Sequence, residues 1–597
     1  MISLARLSVL LAGAAVLASP VSKRDASNGF TLPNVDPNYK ARVAAIEAKR
    51  KGWLYEEYPI GGAFYPTGTL ANKTISEQQA QWFPTVVDHA KVIANESVAA
   101  LAAIIAAGNF STLDDYANAY TNQWNLSLPG GPMTGMVTNY TDDRLFSMMR
   151  LSATPYKIHR VQPRETLLFP VVNAASITGG ASLTDLRSQG RLFFTDFSYL
   201  KVLANKDLPP SGKYGAGCQA YFYIAKSGDF LPLAVKPIVK GREQSALVYT
   251  PEDKPADWLL AKFLLNQNDG YHSTWAHVGQ SHSAAEAPYL AAIRSLSDDH
   301  PVMAILNRIE KTPWGVRPNL ENGLDSGTAF IGPQYYPWSP EGARDYVNRL
   351  YLSGQSADFE RNYYRSEFKQ RGLVDSSFGP KLKSFPFYED TSVVTEAIRA
   401  FMEVFINSYY PSDKAVATDI EVQAWYRETT AARVYDFPRI QTRQAIADVL
   451  THQAYLSVIV SNVMSTNGIH MNSMSLPFAP AGFLQRIPTK KGLTEKDLMS
   501  FMPTPEGAVW QISTYVLGHR PMWRDTNETI SHLFDSEDLL ARTNANTRAA
   551  AAKFKAEMMD FSTEVRARTF DENGLNRGMP FLWDALDPNY APYWSVV

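Results

Sequence analysis

Residues 256–301 read ADWLLAKFLLNQNDGYHSTWAHVGQSHSAAEAPYLAAIRSLSDDHP. The stretch opens as an apolar helix, then places histidines at 272, 277 and 282, with His300 directly before Pro301. The whole chain of 597 residues holds only 10 histidines. An ideal α-helix turns about 100° per residue, so a spacing of five sets side chains about 140° apart. His277 and His282 would point to different sides of such a helix. A π-type turn, bonded from residue i to i+5, returns them to one face, and such turns gather at functional sites. The stretch therefore demands either a helix widened at this point or imidazoles satisfied singly by backbone carbonyls. Three at one interval favour a shared metal, because neutral imidazole is the commonest metal-binding side chain.

The remaining composition narrows the metal. Cys218 is the single cysteine, which removes thiolate sites and any internal disulfide. No H-E-x-x-H motif is present, which argues against a zinc protease. A nitrogen and oxygen donor set suits iron or manganese better than a sulfur-loving metal. A net charge of -2 gives no basic footprint for nucleic acid.

The first residues, MISLARLSVLLAGAAVLAS, carry Arg6, an apolar run from Leu7 to Leu17, and small residues at Ala18 and Ser19. This is the pattern of a secretory signal peptide over residues 1–19. The run is too short for an ordinary membrane span, so the chain is expected to be extracellular without a transmembrane anchor. Residues 20–58 are polar, include a candidate processing pair at Lys23-Arg24, and are expected to be partly disordered. N-x-S/T sequons stand at Asn72, Asn95, Asn109, Asn125, Asn139 and Asn527. They matter only in a chain that enters the secretory pathway.

Helical periodicity marks 395–410, 419–428 and 547–570, and an apolar helix spans 97–109, with Gly108 suited to a left-handed C-cap. Strand-like pieces are fewer, at 166–172, 219–225 and 245–250, the second leading into the turn Ser227-Gly228-Asp229. These signals predict one large, mainly α domain over 59–597 with minor β-structure near 165–250.

The histidine segment resembles the signature of the lipoxygenase family. That signature is a histidine, four residues, a histidine, four residues, a histidine, and seventeen residues to a His-Pro. His272, His277, His282 and His300-Pro301 keep each interval, and WLLAK (258–262), Glu286 and IRSLS (293–297) match too. RLFFTDFSYL (191–200), GDFLPLAV (228–235), the helix at 395–410 and EVQAWYRE (421–428) are similar to family segments. No N-terminal lipid-binding β-sandwich can be fitted, and a secreted chain without one resembles the fungal manganese lipoxygenases. The resemblance implies a single lipoxygenase-type helical catalytic domain and one non-haem manganese or iron ion. It implies that His277, His282 and the terminal carboxylate of Val597 bind this ion. His272 becomes a neighbour in the outer shell and His300 a structural helix-end residue. The tail, DPNYAPYWSVV, has no charged side chain after Asp587 and is expected to dock in the core, since exposing its aromatics forfeits burial. The implied reaction removes hydrogen from the bis-allylic carbon of a polyunsaturated fatty acid such as linoleate or linolenate. Dioxygen then adds to the pentadienyl radical to give a hydroperoxide. The partners are thus the fatty acid and O2, and the chain is expected to be a monomer.

One segment departs from the pattern. The family takes two more ligands from a later helix, a histidine and, four residues on, an asparagine or histidine, a spacing that shares one helical face. The matching stretch, ADVLTHQAYLSVIVSNVMSTNGIHMNSMSLPF (447–478), has no His-x-x-x-Asn. One register offers Ser461 and Ser465, the next Asn462 and Thr466, and His452 and His470 flank the window. Asn462, through its carbonyl oxygen, is the ligand taken here. The incomplete shell keeps a second reading open, a lipid-binding protein or an oxidative enzyme acting on a secondary-metabolite substrate. Gly323 or Gly327 is the place for the small residue that influences oxygen access in the family, turn glycine being the alternative role. Arg520 or Arg524 would meet a fatty-acid carboxylate.

Overall fold

The computed structural model describes residues 29–57, 62–203, 212–315, 337–338, 340–353, 358–466 and 475–594. Its spine is the apolar run singled out above. Pro255–His277 is a helix that starts on a proline, where the missing N–H costs nothing. Ala256 to His277 are all buried, polar residues included, so each polar side chain must be matched individually. Asn268 accepts from the Cys218 amide at 2.7 Å and donates to the Ala216 carbonyl at 2.8 Å. Asn266 donates to the Phe478 carbonyl at 2.8 Å. Lys262 meets Asp143 at 2.8 Å, and Arg150 meets Asp269 at 2.5 Å. Cys218 is buried and free.

Against this helix lies a four-stranded antiparallel sheet in the order β3 (His159–Arg160), β4 (Leu192–Asp196), β5 (Gly217–Ile224), β6 (Phe230–Ile238). A small hairpin, β1 (Leu54–Glu57) with β2 (Phe64–Thr67), stands apart. Gly228 closes the β5–β6 turn at φ +87°, a conformation that suits glycine. The stretch 166–172, expected as a strand, forms none. Pro170 has no N–H to give a ladder, and the segment instead lies across the sheet, with the Leu168 amide donating to the Tyr221 hydroxyl at 2.8 Å. The stretch 245–250 shrinks to a single bridge between Tyr249 and Val235.

Helix makes up 52% of the described residues and strand 8%, so the expected mainly helical architecture is the one that forms. The predicted helices appear as Pro386–Tyr409, Ile420–Ala431 and Ala545–Arg566. The apolar helix at 97–109 is the end of a much longer one, Thr69–Ala106, followed by Gly108 at φ +95°. The polar N-terminal segment, expected to be partly disordered, is packed from residue 29 onward. Phe30, Leu32 and Trp53 enter the main core. Arg42, on the helix Tyr39–Gly52, is buried in ion pairs with Glu421 at 2.6 Å and Asp36 at 2.9 Å. Such a guanidinium tolerates burial because both carboxylates also hydrogen-bond it. Residues 1–28, with the leader and Lys23-Arg24, lie outside the described residues.

Candidate metal centre

The helix carrying the histidines widens where its spacing demands it. A π turn, Val278–Ser283, joins Pro255–His277 to Ala284–Ser295 without a break. His277 and His282 come to one side, with ring centroids 5.3 Å apart and planes 68° apart. Each ring is 4% exposed. Nδ1 of His282 stands 3.3 Å from Oε1 of Glu286, itself buried one α-helical turn on. A buried carboxylate at that distance favours, by its charge, the proton on Nδ1, which leaves Nε2 as the candidate ligating nitrogen.

A second widened coil packs beside the first. The helix Arg443–Ala454 runs into π turns at Tyr455–Val460 and Asn462–Thr466. The hydroxyl of Ser281, in the first π turn, donates to the carbonyl of Leu456, in the second, at 3.1 Å. Asn462 is buried, and its Nδ2 donates to the carbonyls of Val458 at 2.5 Å and Pro592 at 2.8 Å. The amide nitrogen is thus committed to backbone carbonyls. Pro592 belongs to the chain's last segment, which is docked as its aromatic content predicts. Tyr593 and Trp594 are buried, the Tyr593 amide donates to the Glu528 carbonyl at 3.0 Å, and Trp594 Nε1 donates to the Glu528 carboxylate at 3.0 Å. The guanidinium of Arg308 lies 3.8 Å over the Tyr593 ring. Val597 lies outside the described residues, as do His470, Gly323 and Gly327. The side chains of Ser465 and Thr466 are likewise outside the description. The Ser461 hydroxyl is buried with no hydrogen-bond partner among the described residues.

The other histidines take different roles. His452 is enclosed by aromatic rings, edge-on to Phe359 at 4.5 Å and stacked on Tyr455 at 5.9 Å. Among the described residues no group of three His, Cys, Asp or Glu side chains is placed to hold a metal, so His452 does not join His277 and His282. His272 receives the Tyr346 hydroxyl on Nδ1 at 2.6 Å, with the Tyr199 hydroxyl at 3.2 Å. Burial, then Lys157 and Arg371, hold its pKa well below the ordinary value, so it accepts as a neutral ring. His300 caps the helix Pro301–Ile309, its Nδ1 accepting from the Val302 amide at 3.1 Å.

Arg520 is buried and bonded to the carbonyls of Leu517 and His519, whereas Arg524 is exposed, 5.3 Å from the Tyr590 ring. Of the two, only Arg524 faces solvent. Sequence reasoning passed over Glu310, which accepts from Ser457 and, at 3.0 Å, from Gln453. Gln453 also donates to the Ala285 carbonyl at 2.5 Å, so this cluster ties the two widened helices together. Burial pushes the Glu310 carboxyl up to about 7, opposed by its hydrogen bonds and assisted by nearby Glu286. Nothing in the local run NRIEKTP signals such a role.

Two buried imidazoles and a buried amide, beside a C-terminal segment docked as far as Trp594, offer nitrogen and oxygen donors in an apolar interior. That set fits a non-haem metal ion. Comparison with known proteins agrees. The family pattern Lipoxygenase matches residues 174–314 and 374–582. The manganese lipoxygenase of Colletotrichum gloeosporioides is 36% identical over 576 residues, 95% of this chain and 93% of that protein. A solved manganese lipoxygenase superposes with a TM-score of 0.90 at 35% identity, covering 95% of this chain and 100% of that one. The manganese lipoxygenase of Gaeumannomyces graminis gives 0.89 at 36% identity, with 95% and 100% covered. By homology the chain is a non-haem metal dioxygenase. The chain belongs to the lipoxygenase family.

Proposed function

We propose that this chain is a secreted dioxygenase of polyunsaturated fatty acids of the linoleate and linolenate class. It abstracts hydrogen from a bis-allylic carbon and delivers a hydroperoxide. We assign its one ion, manganese, to His277, His282, the Asn462 carbonyl oxygen and the terminal carboxylate of Val597. The observation that carries this reading is the bond from Asn462 to the Pro592 carbonyl at 2.8 Å. It links the π turn Asn462–Thr466 to the C-terminal segment, five residues before Val597.

When bound, the ion supplies the one-electron redox chemistry of hydrogen abstraction. The chain's own residues do the rest. Glu286, 3.3 Å from Nδ1 of His282, favours the tautomer that leaves Nε2 to the ion. The Asn462 amide is held by backbone carbonyls. Val278, Val458, Ile459 and Val463 are buried around the π turns and keep water out. Neutral imidazoles with a single carboxylate keep the charge of the donor set low. Secretion rests on the leader at 1–19.

The test is metal analysis of purified protein together with oxygen uptake on linoleate. One manganese per chain with linoleate-dependent uptake supports the reading. Metal without linoleate turnover moves the substrate to another lipid or a secondary metabolite. A metal-free chain moves the function to lipid binding, a reading favoured by the missing third imidazole among the described residues.

A further inference from the structure

The helix Thr69–Ala106 has the length and composition to cross a membrane, yet it lies on the surface of this fold. From Val92 to Ala107 it carries one charge, Glu96. That carboxylate is drawn off the outer face, accepting from the amides of Leu126 at 2.8 Å and Ser127 at 3.1 Å. Ile93, Ala100 and Ile104 turn inward. The opposite side stays in solvent, with Val98 62% exposed, Ile105 53%, and neighbouring Leu126 69%. An uncharged apolar face of this kind normally marks a contact surface.

Three sequons border it. Asn95 shares a helical face with Val98, Ala99, Ala102 and Ala106 by its spacing. Asn109 follows the helix end, and Asn125 precedes Leu126. All three asparagines are exposed. We propose that N-glycans on Asn95, Asn109 and Asn125 cover this apolar face, so that it is a shielded surface and not a docking one. The proposal rests on the secretion reading, since only a chain entering the secretory pathway meets the glycosylating enzyme. In that step Nδ2 forms a bond to C1 of the oligosaccharide. The bond from C1 to the phosphate oxygen of a lipid diphosphate donor breaks. The lipid diphosphate leaves with the electron pair, and the amide proton is lost to base.

The remaining sequons supply controls. Asn139 is half-buried with its Nδ2 turned to the Pro580 carbonyl at 2.7 Å, which leaves no room for a glycan, whereas the Asn125 Nδ2, bonded to the Asn122 carbonyl at 3.3 Å, is exposed. Asn139 is left unmodified. Asn72 is exposed at the far end of the same helix, on the order of 35 Å from Asn95. Asn527 is exposed on another element.

The full chain is expressed in a eukaryotic secretory host and its glycopeptides mapped by mass spectrometry. Occupancy is expected at Asn95, Asn109 and Asn125 and not at Asn139. The triple variant Asn95→Gln, Asn109→Gln, Asn125→Gln is then compared with the double variant Asn72→Gln, Asn527→Gln. The triple variant should self-associate and bind an apolar dye several-fold more strongly, with metal content unchanged. Adding Val98→Glu and Ile105→Glu should return it to the behaviour of the double variant. A secreted chain unmodified at the three sites overturns the proposal alone, whereas a chain retained in the cell with its leader intact overturns the secretion reading. A triple variant as soluble and dye-free as the double variant overturns the shield. So does the glycosylated wild type binding phosphatidylcholine vesicles through this face, or association that survives the two glutamates.

Discussion

His452 was a rival ligand in the sequence, and its surroundings give it a measurable role of another kind. The ring is 1% exposed, and neither nitrogen has a hydrogen-bond partner among the described residues. Burial lowers its pKa from 6.5 to about 3. The folded value is depressed, so the neutral ring belongs to the fold and the charged ring to the unfolded chain. Stability from this residue is complete above pH 6.5 and is lost as pH falls from there toward 3. At pH 5 the unfolded chain holds the proton and the folded one does not, a difference of about 2 kcal/mol relative to pH 7.5. His452→Leu removes the titrating group. Urea midpoints of wild type and variant are measured at both pH values, with bound metal determined at pH 7.5. The variant should lose about 2 kcal/mol less than wild type on acidification and keep its metal. Identical pH dependence would refute the burial argument. A folded variant without metal would refute the placement of His452 outside the centre.

Three further outcomes follow from the site. Glu286→Ala should weaken metal retention about 10- to 100-fold, read by chelator titration, because the His282 tautomer loses its anchor. Asn462→His should tighten manganese binding by restoring an imidazole, whereas Ser461→Ala should leave it unchanged; a reversed result would move the third ligand to Ser461. For Glu310 the folded value is raised from 4.5 to about 7, so its stabilisation is full below pH 4.5 and is lost as pH rises through 7. Glu310→Gln, which resembles the protonated acid, should therefore stabilise the protein by up to about 3 kcal/mol at pH 8 and little at pH 5, seen as melting temperature against pH.

What the sequence discloses depends on whether a constraint is local. An interval of five cannot bring His277 and His282 to one ion on an ideal helix, so a shared metal requires the kind of π turn that forms at Val278–Ser283. The second widening has no such signal, because YLSVIVSNV is apolar almost throughout and carries no polar interval that a normal helix would misplace. Arg42 reads as a surface charge until Glu421, 379 residues away, is brought beside it. Glu310 is the same case, since its partners Gln453 and Ser457 lie far along the chain. The apolar composition of 166–172 suits both a strand and a segment laid across a sheet. Pro170 distinguishes the two.

The two widened helices also bear on the missing histidine. If ligand bonds alone held the later helix in its widened form, replacing an imidazole would let it relax to an ordinary α-helix. Here the widening has support of its own. Ser281 bonds the Leu456 carbonyl, Gln453 bonds the Ala285 carbonyl, and Asn462 bonds the Val458 and Pro592 carbonyls. These contacts are independent of any ion, and all but one of them cross between separate segments of the chain. A change of ligand therefore leaves the geometry of the centre in place. Its effect falls on the affinity and potential of the bound metal, which the donor atoms set, and not on the fold that presents them.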